Sequence, residues 1–92
     1  MDKEAFYKKL KKDLEADSKF PLKYLFKFIV PSSGTQVDEI EKIFNYSGAV
    51  INKKTSKTGK FTSVSIHVIM KSADDIIKKY KEAGTIEGII SL

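Results

Sequence analysis

The chain has 92 residues, 41% of them hydrophobic, and its 17 basic residues are all lysine against 12 carboxylates, a formal net charge of +5. That length suits one small domain with an appendage and excludes large catalytic barrels, which take roughly 250 residues. The lack of cysteine and the single histidine, His67, exclude a disulfide scaffold, a thiolate metal site, a cysteine nucleophile and any centre needing two histidines from one chain.

Residues 1–19 predict a lysine-rich amphipathic helix appended to a domain at 20–92. Phe6, Leu10 and Leu14 recur every four residues, Tyr7 joins the stripe, and Glu4 stands four before Lys8, the favourable order for a helical ion pair. Phe20-Pro21 closes the segment, because proline disfavours helix in the residue before it. Residues 22–30 alternate: Leu22, Tyr24, Phe26, Phe28 and Val30 point one way, and Lys23, Leu25, Lys27 and Ile29 the other. Period two with aromatic enrichment predicts a strand with one dense core face.

After Pro31-Ser32-Ser33-Gly34, Thr35 and Asp38 predict a capped helix start, with Val37, Ile40, Ile43 and Phe44 on its inner stripe and Ser47-Gly48 as its stop. A second strand is expected over 49–56 and a turn at Thr58-Gly59. A third strand follows over 60–70, with Val64, Ile66, Val68 and Met70 on one face and Ser63, Ser65, His67 and Ile69 on the other. Ser72 and Asp75 repeat the capping signal ahead of Ala73, Ile76, Ile77, Tyr80 and Ala83; Gly84 ends that helix, and residues 85–92 predict a last short strand.

The order β-α-β-β-α-β after an extra helix, with right-handed crossovers, predicts an α+β ferredoxin-like sandwich. Its four-stranded antiparallel sheet runs 4-1-3-2, with both helices of the repeat on one face. Lys53 and Lys54 suit strand two as a protected edge.

The segment Lys57-Thr58-Gly59-Lys60-Phe61-Thr62-Ser63-Val64-Ser65-Ile66 resembles the YbeD-like family, a bacterial family of unassigned function, and Phe20-Pro21, the aromatic first strand and Tyr80 fit it as well. The resemblance covers roughly residues 20–92. It implies a ferredoxin-like fold likened to ACT-type regulatory domains, which bind small metabolites at subunit interfaces through a glycine-bearing loop after the first strand. Gly34 stands at that place. The amino-terminal helix and Glu87-Gly88 in the last strand depart from the family pattern.

No catalytic or metal site is expected, and no cofactor. His67 has Ser65 two residues away on the same face, but no acid lies between Glu41 and Asp74 to orient a nucleophilic pair. The carboxylates open helices, where negative charge offsets the dipole. In place of a reaction centre, the helix-free sheet face is the candidate site: Lys23, Leu25, Lys27, Ile29, Ser63, Ser65, His67 and Ile69. The first helix is expected to dock at or beside this face through Phe6, Leu10 and Leu14.

The reading is a cytoplasmic, non-enzymatic binding or regulatory domain. It meets a protein partner or another copy of itself through that face or an edge, with room for a small metabolite. The alternative is electrostatic nucleic-acid binding by Lys53, Lys54, Lys57 and Lys60 of the second hairpin. Without arginine, base-specific readout is not expected. No segment is long and apolar enough to span a membrane, so none is expected as a partner.

Overall fold

The computed structural model describes residues 3–45 and 48–91. The elements run α1 (Lys3–Asp17), β1 (Leu22–Pro31), α2 (Gln36–Phe44), β2 (Val50–Thr55), β3 (Phe61–Met70), α3 (Ala73–Ala83) and β4 (Ile90–Ser91). The four strands form one antiparallel sheet in the order β2-β3-β1-β4, the expected ferredoxin-like arrangement. β1 and β3 pair over their whole length, Leu22 opposite Met70 and Pro31 opposite Phe61.

Alternation puts the rings of β1 inside. Phe26 and Phe28 are wholly buried, and Phe26 meets Tyr24, Phe44 and Tyr80 at ring separations of 4.7, 4.9 and 5.1 Å. Val64, Ile66 and Val68 of β3, Ile40 of α2 and Ile76 of α3 complete this core between sheet and helices. Tyr24 and Tyr80 join their hydroxyls at 2.8 Å, which satisfies two polar groups at the core margin. Burial, and then the Tyr24 hydroxyl, push the Tyr80 phenol above its ordinary value of 10.0.

The two helix starts behave differently. Ser72 is extended (φ −156°, ψ 164°), and its hydroxyl accepts the Asp75 N–H at 3.1 Å, as the motif predicts. Thr35, at φ −93° and ψ 5°, makes no side-chain cap. Its non-extended backbone turns the hydroxyl away from the N3 amide and towards the Glu39 carboxylate, 3.5 Å off. Ser47 of the expected helix stop lies outside the described residues, as does Leu92 of the last strand.

Two further expectations are corrected. α1 does not approach the open sheet face. It lies along α3, with Lys11 to Asp74 at 2.9 Å, Lys81 to Glu4 at 3.6 Å and the Lys81 ammonium 5.4 Å from the centre of the Tyr7 ring. Leu14 and Phe20 pack on the margin of the core, which anchors the short connection to β1 on the helix side, while Phe6 stays exposed. The last strand is shorter than expected. Residues 85–89 turn instead of extending, with the Ile86 N–H bonded to the Ala83 carbonyl, Ile86 buried and Gly88 at φ +76°. A Cβ on Gly88 would crowd the Pro31 ring at 3.1 Å, at a backbone angle that other side chains rarely adopt, so glycine is favoured where the chain passes β1.

Phe26→Ala should cost about 3–5 kcal/mol in urea unfolding, since four rings lose their common neighbour. Tyr80 favours its neutral form in the fold, so its contribution is complete below pH 10 and is lost as the pH rises further. The stability of Tyr80→Phe should therefore fall less steeply than that of the parent above pH 10.

Candidate functional site

The pairing register assembles the open face row by row. Val50, His67 and Leu25 form one row across β2, β3 and β1; Asn52, Ser65 and Lys27 form the next; Lys54, Ser63 and Ile29 form a third that continues to Ile90 of β4. Ile69 and Lys23 lie at one end, Phe61 and Pro31 at the other. All eight residues singled out from the sequence, Lys23 to Ile29 and Ser63 to Ile69 at alternate positions, thus share one surface. Lys23, Gly48, Val50, His67 and Ile69 line a shallow depression at its corner.

This face is apolar beyond what one pleated surface of a small domain requires. Six large hydrophobic side chains are exposed among the described residues, and five of them, Leu25, Val50, Phe61, Ile69 and Ile90, stand here at 45–67% exposure. Val50 and Ile90 escaped the sequence reading because each faces outward only by its pairing with a neighbouring strand: Val50 with His67, Ile90 with Ile29.

Charge is layered in the same way. Segments 20–33 and 45–73 contain seven lysines and no carboxylate, so they carry +7, while the rest of the chain carries −2. The hairpin lysines do not form one cluster. Lys53, opposite Val64, faces the helices, where its ammonium meets the Glu41 carboxylate at 2.6 Å. That hydrogen bond and charge hold the Lys53 pKa above the usual lysine value. Lys54, opposite Ser63, faces the other way, and Lys57 and Lys60 stand in the exposed turn.

The loop after β1 is occupied by the chain itself. The Gln36 carboxamide fills the place a Cβ on Gly34 would take; its Nε2 donates to the Glu87 carbonyl at 3.4 Å, and its Oε1 is buried without a donor. Among the described residues no three histidine or carboxylate groups converge as metal ligands, and no helix is long and apolar enough to cross a membrane.

These features define a ferredoxin-like α+β domain with one sheet face uncovered. The chain belongs to a family of proteins of unknown function (DUF493), whose model matches residues 15–92. No curated protein matches it. It is similar to the ACT domain of the GTP pyrophosphokinase of Chlorobium tepidum, with a TM-score of 0.55 and 9% identity over 77% of this chain and 100% of that one. At that identity the likeness is one of fold, and it bears out the expected ferredoxin-like, ACT-like fold; the family match bears out the expected family of unassigned function.

Ile69→Thr should leave the unfolding free energy in urea within about 0.5 kcal/mol of the parent, because Ile69 already faces water. Ile66→Thr, on the opposite side of the same strand, should cost about 2–4 kcal/mol.

Proposed function

We propose that this chain is a non-catalytic binding domain that meets a protein partner across the open face of its sheet. The concentration of five of six exposed large hydrophobic side chains on that face carries the reading. Water-facing apolar groups scattered over a whole surface need no explanation, but here they gather on one face, Leu25, Val50 and Ile69 towards one end and Phe61 and Ile90 towards the other, with the polar row of Asn52, Ser65 and Lys27 between them. The ACT likeness supports a regulatory role of this kind, and the depression beside His67 leaves room for a small metabolite at the junction.

Catalysis is not part of the proposal. Serine and histidine stand on the face, but the strands that build it contribute no acid to orient them. Nucleic-acid binding is the second reading, favoured by the +7 of the sheet segments. It explains the lysines and leaves Leu25, Val50 and Ile69 without a role, and Phe61 is the one aromatic ring the strands place on this face for base stacking.

The two readings separate in affinity capture from a lysate of the source cells. A protein that remains bound in high salt and is lost with Ile69→Asp is the expected result. Retention of nucleic acid that high salt releases, that Lys54→Ala with Lys57→Ala and Lys60→Ala abolishes, and that Ile69→Asp leaves intact would favour the second reading.

A further inference from the structure

The outward side of β3 is a trough without acidic or lysine side chains. Ile69, His67, Ser65, Ser63 and Phe61 follow one another along it, apolar at the two ends and small in the middle. Ser65 stands between Asn52 and Lys27, and Ser63 between Lys54 and Ile29, so the shortest side chain of each row lies on β3. Lys23 and Lys27 border the trough from β1 and Lys54 from β2. Among the described residues none of these three lysines meets a carboxylate. The trough lies one strand removed from β4, which pairs with β1.

The backbone beneath the trough decides what can lie in it. From Thr62 to His67, β3 is paired on both sides. A segment seated over it therefore finds side chains and no free amides or carbonyls. It must satisfy its own backbone groups, and a helix does so internally. Helix on sheet is also the layer this side lacks, since α2 and α3 cover the other. The strip from Ile69 to Phe61 is roughly 27 Å long, the length of about 18 helical residues. Strands about 4.8 Å apart bring the bordering lysines to the flanks of such a helix.

Charge selects among occupants. Two open faces laid together would oppose the +7 of the sheet segments to the same +7, with no carboxylate in either. α1 of the chain itself carries five lysines against four carboxylates, and the Lys11–Asp74 and Lys81–Glu4 pairs hold it on α3.

Resting on the reading above, we propose that the β3 trough seats an acidic amphipathic helix of a partner protein. The apolar stripe of that helix rests on Ile69 and Phe61 at its ends, with Leu25 and Val50 beside it. Carboxylates along its margins meet Lys23 and Lys27 on one side and Lys54 on the other. The buried stripe supplies affinity, and the lysines steer approach and reject basic helices.

The test uses the full chain and an end-capped fluorescent peptide of about 18 residues. Leucine recurs in it at three- and four-residue spacing, with glutamate on both flanks of that stripe. One control carries lysine for every glutamate. The other keeps the composition and sets the leucines at alternate positions, a strand pattern. Anisotropy should show the acidic helical peptide binding at least about tenfold more tightly than either control, with circular dichroism gaining helix as the complex forms. Lys23→Glu with Lys27→Glu should reverse the preference towards the lysine peptide, with the urea midpoint unchanged to show that the variant folds. Amide shifts should centre on residues 61–69.

Equal binding of either control peptide overturns the inference, as do shifts that leave residues 61–69 unmoved. A dimer in sedimentation whose contacts map to the trough overturns it in favour of a second copy, and equal shifts there by oligothymidylate overturn it in favour of nucleic acid. An absence of binding with the acidic peptide at about 1 mM also overturns it. In each case the Ile69→Asp capture still decides the open-face reading on its own.

Discussion

Phe26 is the position on which the architecture turns. Its ring lies between Tyr24 and Phe28 on its own strand and Phe44 and Tyr80 on the two helices above. Side chains of a strand alternate strictly between faces, so burying Phe26 sends Lys23, Leu25 and Lys27 outward without further choice. The pairing then carries the decision across the sheet: Ile66 faces in because it stands opposite Phe26, and Ile51 because it stands opposite Ile66. The make-up of the open face is the complement of this ring packing.

The layering of charge follows from the different needs of helix and strand. Asp38 and Glu39 open α2 and Asp74 and Asp75 open α3, where unbonded amides favour negative charge. Lysines on exposed strands protect against unwanted pairing. Each device is local, yet their sum leaves the sheet strongly positive and the rest of the chain slightly negative. A molecule polarised in this way carries its positive potential on the sheet side, the side where the exposed apolar residues stand.

Element types and strand order were legible because each segment repeats one period clearly. The aromatic alternation of residues 22–30 and the stripe from Ala73 to Ala83 admit one interpretation each. Thr35 and Ser72 show the limit of local motifs. Both begin the same pattern, but capping needs an extended backbone at the cap, and the turn after Pro31 denies it to Thr35. The seat of α1 was equally hidden. Its narrow apolar stripe could meet any greasy surface, and the choice of α3 rests on Asp74, Lys81 and the core margin near Leu14, none of them close to it in sequence.

From sequence alone come the fold class, the inward rings, the outward lysines and the eight residues of the face that lie on β1 and β3, because these are consequences of periodicity within a segment. The tertiary structure alone decided that Val50 and Ile90 join the face, that Lys53 and Lys54 part company, that α1 lies along α3 and that residues 85–89 turn before β4 begins. Those facts depend on which strand lies beside which and in what register, and register is set by distant residues meeting in space, not by the order in which they are read.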